Sequence, residues 1–169
     1  MTAPRETIAT TQVYRVFIKA TPEAIWDALT RPEWTERYGY GGRAEYDPEL
    51  RPGAAYRGHT SEAMRSMGSP DVAVEGEVVE ADPPRKLVQT WRMVMDEAMA
   101  AEGFTRLTYE IAEGKDGVSK LTVIHELEGA PKLALLLSGG MEDLGAGGGW
   151  SWVLSDLKTL LETGQPLAA

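Results

Sequence analysis

The run from Gly149 to Gly164, GWSWVLSDLKTLLETG, constrains the rest of the chain more than any other stretch. Trp150, Val153, Leu154, Leu157, Leu160 and Leu161 follow one another at steps of one and three, which gathers all six on one face of a helix. Ser151, Ser155, Asp156, Lys158, Thr159, Glu162 and Thr163 take the opposite, solvent side, with Trp152 on the flank. Gly164 supplies a C-terminal stop and Pro166 bars resumption. At ~1.5 Å per residue the rod is roughly 22 Å long, enough to cross a small sheet. Such a helix is not held by propensity alone and needs a surface on which to bury its stripe.

The preceding residues read as that surface. Gln12 to Ala20 alternates as a first strand. Thr21 followed by Pro22 and Glu23 opens a helix carrying Ile25, Trp26 and Leu29, and a second short helix follows from Pro32 to Arg37. Tyr38 to Gly42 is a turn with two tyrosines and three glycines. Short strands are expected at Ala44–Tyr46 and Ala54–His59, and Thr60–Asp71 as a longer loop. Val72–Glu80 and Arg85–Met93 are strands on either side of Asp82-Pro83-Pro84, and Asp96–Gly103 is a loop with at most a helical turn. Thr105–Glu113 and Ser119–Leu127 pair through a Lys115-Asp116-Gly117 hairpin. Gly129–Gly149 holds a short apolar segment, Leu133–Leu137, between glycine clusters. Helices segregated beside an antiparallel meander give an α+β fold, with the sheet curved around the last helix.

Size and charge exclude several classes. With 169 residues, 43% hydrophobic and 25% charged, the chain reads as one soluble domain over 12–164, with tails at 1–11 and 165–169. A net charge of −9 and no Lys/Arg cluster argue against nucleic acid and anionic membrane surfaces. There is no cysteine, hence no disulfide, thiol nucleophile or thiolate metal site. The N-terminus lacks an apolar signal core, and no apolar run approaches the ~20 residues of a membrane span, so a cytoplasmic protein is expected.

Four pieces of the sequence then resemble one known family. They are Ala20-Thr21-Pro22-Glu23 with Ile25-Trp26-Asp27-Ala28-Leu29; Gly76-Glu77-Val78 leading to Asp82-Pro83-Pro84-Arg85-Lys86-Leu87 and Thr90-Trp91; Leu121-Thr122-Val123 with His125; and Gly149-Trp150 with Leu154, Leu157 and Leu161. In order and spacing they look like the SRPBCC, or START-related, superfamily, closest to its branch of heat-shock-protein ATPase activator homologues. The resemblance implies a helix-grip fold: a curved antiparallel sheet of about six to seven strands around the C-terminal helix, two short helices after the first strand, and an internal cavity. It says little about function, because that superfamily hosts cyclases, hydrolases, lipid carriers and chaperone regulators. Two segments depart from the family pattern, Tyr38-Gly39-Tyr40-Gly41-Gly42 and Thr60–Asp71, and both are expected near the cavity mouth.

Strand alternation places His125 on the concave side with Leu121 and Val123. Two readings of it stand: a proton-transfer group or ligand anchor, since its pKa is near neutrality, or a hydrogen-bonded structural histidine. Gln89, Trp91, Tyr109 and Trp150 are expected to share that interior, with Tyr38 and Tyr40 at the mouth; an apolar space with a few polar handles suits a flat or elongated organic ligand. The alternative, that Trp91 and Trp150 simply fill the core, stands equally, but a buried Gln89 amide needs partners at both ends. His59 alternates outward, and Arg92 and Glu75, Glu77, Glu80 and Glu110 belong to solvated faces. No histidine or carboxylate spacing suits a metal, and no phosphate loop, dinucleotide fingerprint or serine elbow is present, so no cofactor is expected. Gly145–Gly149 reads as a flexible hinge, making a lid with Leu133–Leu137.

Three functions follow, in order of preference: binding of a small hydrophobic or aromatic molecule in the cavity; acid–base catalysis on a polyketide-like or cyclic substrate, with His125 moving the proton and Tyr109 orienting; and stimulation of a heat-shock ATPase. A homodimer is compatible with each.

Overall fold

The computed structural model describes residues 10–167. A first strand, β1 (Thr11–Ile18), leads to α1 (Pro22–Thr30) and α2 (Pro32–Thr35). The Thr21 side chain accepts from Ala24 N, so the capping residue read from the sequence performs that role. Then come β2 (Arg43–Tyr46), β3 (Ala55–His59), α3 (Glu62–Ser66), β4 (Val72–Asp82), β5 (Lys86–Met93), α4 (Glu97–Ala100), β6 (Thr105–Glu113), β7 (Ser119–Glu126), α5 (Pro131–Leu137), a 3-10 turn at Glu142–Leu144, and α6 (Gly149–Thr163). The seven strands form one antiparallel sheet in the order β1-β7-β6-β5-β4-β3-β2. The fold is the expected α+β helix grip. Most of the expected disordered tail, residues 1–11, lies outside the described residues; β1 begins at Thr11, and Thr10 O accepts from Leu127 N at 2.8 Å.

Thr60–Asp71, read as a loop, contains the short helix α3, and Asp96–Gly103 contains the helical turn its reading allowed, α4. Ser61 caps α3 by accepting from Met64 N, and Asp96 caps α4 by accepting from Met99 N. Side-chain oxygens at the start of each turn satisfy amides that apolar periodicity over four or five residues does not reveal. The β6–β7 hairpin has positive φ at both Asp116 (58°) and Gly117 (75°), as an Asp-Gly turn of matching twist requires.

The core explains where space is left. Ile18, Leu121, Val123, Leu157 and Leu160 are at most 1% exposed, so α6 is packed solid against the β1 and β7 side of the sheet. Register shifts bend the other side: β4 carries an extra residue at Val79 opposite β5 and at Ala73 opposite Gly58/His59 of β3. There the sheet pulls away from the first turns of α6, and α1, α2 and α5 close the ends.

One expectation for α6 is corrected. Asp156, placed on the solvent side by its spacing, is 3% exposed. Its Oδ2 accepts from Gly39 N at 2.8 Å and its Oδ1 from Leu167 N at 2.7 Å. It sits at the border of the apolar stripe, beside Val153 and Leu160, and the Tyr38–Gly42 turn and the C-terminal residues fold over it. Asp156→Asn keeps one acceptor and sets an N–H against the other amide. A loss of about 1.5 kcal/mol is expected from urea denaturation, the scale of one charge-assisted hydrogen bond.

Candidate functional site

Between β2–β6, the first two turns of α6 and the Tyr38–Gly42 turn lies a partly enclosed cavity of about 350 Å³. Four tyrosines dominate its wall: Tyr38, Tyr46, Tyr56 and Tyr109. Trp91 and Trp150 add two indoles, and Leu29, Val74, Met93, Leu136 and Val153 supply the aliphatic surface. Tyr46 and Tyr56 are directly opposed in the β2–β3 register and stack with centroids 4.6 Å apart. Tyr109 meets Trp150 edge-on at 6.1 Å. Tyr38 donates to the Ala28 carbonyl at 2.7 Å, and Tyr46 to Gln89 Oε1 at 2.6 Å. Burial raises the pKa of all four phenols, that of Tyr56 to about 12 against a lowering by the hydrogen bond it accepts from the Trp91 indole, so each stays protonated at neutral pH.

Behind the indoles sits His125, 0% exposed. Trp150 Nε1 can only donate, and it does so to His125 Nδ1 at 3.2 Å. The neutral ring therefore carries its proton on Nε2, which donates to Thr105 Oγ1 at 2.7 Å. Thr105 in turn donates to the Trp91 carbonyl at 2.8 Å. The chain of donors and acceptors is complete, and desolvation pushes the His125 pKa down to about 3. His125 faces the concave side, yet its ring is sealed behind Trp91, at 5.3 Å, and Trp150, at 6.0 Å, and does not line the cavity. Gln89 is likewise 0% exposed and off the lining; its Oε1 is satisfied by Tyr46 and its Nε2 has no partner among the described residues.

At the mouth, Tyr40 Oη accepts from Gly149 N at 3.2 Å. A Cβ on Gly147 would fall 2.2 Å from that same oxygen, so the turn and the glycine segment close on each other. The Glu102 carboxylate caps α5 by accepting from Lys132 N and Leu133 N at 2.9 and 3.1 Å. His59 keeps the outward face expected of it, beside Arg57 and Glu45, and borders the cavity rim. It contacts Glu45 through Nε2 at 2.7 Å and Asp71 through Nδ1 at 3.3 Å. Arg92 stays on the opposite face, half-buried, paired with Glu75 and stacked 4.5 Å over Phe104. Among the described residues no group of three metal-ligating side chains is brought together, and no helix is long and apolar enough to cross a membrane.

A profile of the family described as Activator of Hsp90 ATPase homolog 1-like protein matches residues 19–162. The chain belongs to this family. No curated protein matches the sequence. Solved structures with the same fold include PFC0360w, an HSP90 activator from Plasmodium falciparum, at 18% identity over 90% of this chain and 96% of that one, TM-score 0.61. DynU16, a protein of the dynemicin biosynthetic locus, shares 20% identity over 93% of this chain and 49% of its own length, TM-score 0.63. The Aha1 dimer from Colwellia psychrerythraea shares 17% over 91% and 97%, TM-score 0.59. At these identities the likeness is one of fold.

On this activator-homologue fold the structure places Trp91, Tyr109, Trp150, Tyr38 and Tyr40 on the cavity wall, and Gln89 and His125 behind it. Sequence reasoning missed Tyr46, Tyr56 and the rim residues His59 and Met64. The matched tyrosines on consecutive short strands were the available signal. In the β2–β3 register Tyr46 sits opposite Tyr56, both on the face of Ala44, which is 7% exposed.

Proposed function

We propose that this protein binds a small, uncharged hydrophobic or aromatic molecule between the sheet and the N-terminal half of α6. The observation that carries this reading is the cavity itself. In a core whose side chains are at most 8% exposed, about 350 Å³ stays open behind a wall of tyrosine and tryptophan. That volume falls in the range of small-molecule sites, roughly 300–1,000 Å³. The wall offers broad aromatic faces and a few hydroxyls, and no charged group at its inner end.

Ligand at ~100 times its Kd stabilises a protein by about 2.7 kcal/mol. For a chain of this length that is a rise in Tm of about 5 °C or more. Thermal shift and native mass spectrometry against a panel of uncharged aromatics test it. Ala73→Phe, which projects a ring into the cavity from β4, should leave folding intact and remove the shift; a shift of equal size in this variant would mean that the molecules bind elsewhere. The same spectra report whether two copies associate, as they do in the Colwellia protein.

Acid–base catalysis by His125, with Tyr109 orienting, is the weaker reading, because both ring nitrogens are engaged and neither reaches the cavity. Stimulation of a heat-shock ATPase has the family's name behind it and makes no use of the cavity.

A further inference from the structure

The hydroxyls of the cavity are not equivalent. Tyr38 has committed its hydrogen to Ala28 O and Tyr46 has committed its own to Gln89 Oε1. Tyr40, at the mouth, accepts from Gly149 N. Tyr109 has no hydrogen-bond partner among the described residues, and Tyr56 only accepts one, from the Trp91 indole, so the hydrogens of both phenols are uncommitted where they line the cavity. Nor are they sealed orphans: the buried side-chain atoms left unsatisfied are Gln89 Nε2 and Arg92 Nε, so the two phenols open onto the empty space. Both face the same cavity, Tyr56 from β3 and Tyr109 from β6. A phenol O–H facing an apolar space is a donor awaiting an acceptor, and leaving it unmet when a ligand displaces water is costly.

The charge around the cavity narrows the acceptor further. Arg43 and His59 sit at the rim, and His59 is already held by Glu45 and Asp71. The inner wall carries no cation to balance a buried carboxylate, which would lose its hydration with nothing in return. An uncharged oxygen meets both conditions.

We propose that the inner wall selects flat, uncharged ring systems carrying a carbonyl oxygen, aryl ketones and quinones, with that oxygen accepting from Tyr109 and Tyr56. This rests on the ligand-binding reading and specifies its ligand class. Bare hydrocarbons of the same shape would fill the space and leave both donors unmet. Carboxylates of the same skeleton would bring a charge that the wall does not neutralise.

Fluorene, fluorenone and fluorenecarboxylate share one skeleton and separate the cases. Their affinities are read from quenching of tryptophan fluorescence in the intact chain and in the variant Tyr56→Phe/Tyr109→Phe. In the variant, fluorenone should lose about tenfold in affinity, the worth of two uncharged hydrogen bonds, while fluorene changes by less than about twofold. Fluorenecarboxylate should bind the intact chain more weakly than either. The carbonyl stretch of bound fluorenone reports on the unmodified protein and does not depend on the variant folding. It should move to lower frequency than in a hydrocarbon solvent. An unshifted band, or equal losses for fluorene and fluorenone in the variant, overturns the carbonyl proposal while leaving the cavity a binding site. Failure of all three to bind overturns both.

Discussion

Lowering the pH from about 7 to about 4 should remove about 3 kcal/mol of folding stability through His125 alone. In the unfolded chain this imidazole titrates near the ordinary value of 6.5, and in the fold its pKa is about 3. Between those values the unfolded state binds a proton that the native state refuses. Stability is therefore complete above the unfolded pKa and declines as pH falls toward the folded one, by ~1.4 kcal/mol per pH unit. The native ring cannot gain a second N–H without opposing the Trp150 indole N–H, which occupies the only free lone pair. His125→Gln offers an acceptor to Trp150 and a donor to Thr105 but has no proton to gain. Urea midpoints measured for both proteins across this range should show the natural chain losing about 3 kcal/mol more than the variant. Asp47 and Glu162, whose carboxyl pKa values are lowered by Arg51 and Lys158, also lose their contribution on acidification, but they do so in both proteins and cancel in the comparison. Parallel curves would mean that the ring is protonated in the fold and that the hydrogen-bond chain is drawn wrongly.

That enclosure bears on how much of the site could be read beforehand. Period-two alternation put His125 on the concave side, and it is there; what alternation cannot supply is the depth of a side chain relative to its neighbours. Whether His125 touches a ligand depends on Trp91 and Trp150, which lie on different elements and close over it. Gln89 behaves the same way, facing inward but ending on Tyr46. The helix stripe, the Thr21 cap, the Asp-Gly hairpin and the antiparallel meander are local or nearly local in cause, and these were legible. The outward face of His59 was legible as well, since it alternates with Arg57 and both reach Glu45. Asp156 was misplaced because a carboxylate at the border of a stripe is exposed or buried according to what folds over it, here Gly39 and Leu167 from opposite ends of the chain.

Gly149→Ala is expected to cost about 3 kcal/mol or more and to abolish ligand binding, whereas Gly145→Ala, four residues earlier in the same glycine cluster, costs about 1 kcal/mol. Both glycines have positive φ, 68° and 87°, so both substitutions incur the left-handed strain of an L residue. Only Gly149 is also crowded by backbone. A Cβ there would lie 2.1 Å from Leu137 O and 2.6 Å from its carbonyl carbon, atoms that end α5 and cannot rotate aside; at Gly145 nothing lies within 4 Å. The cluster was read from sequence as a flexible hinge, but at Gly149 the missing side chain permits a close approach of α5 to the start of α6. What depends on that approach is the cavity. Gly149 N–H holds the Tyr40 hydroxyl, and Trp150, the next residue, forms wall against Tyr109 and closes over His125. Moving the first turn of α6 by the ångström or more that a methyl group demands would open the mouth and withdraw the indole together. Urea denaturation and fluorenone binding, measured on both variants, distinguish the two roles: equal effects at Gly145 and Gly149 would restore the hinge reading, and a large effect confined to Gly149 makes this junction the device that keeps the helix, the sheet and the space between them in place.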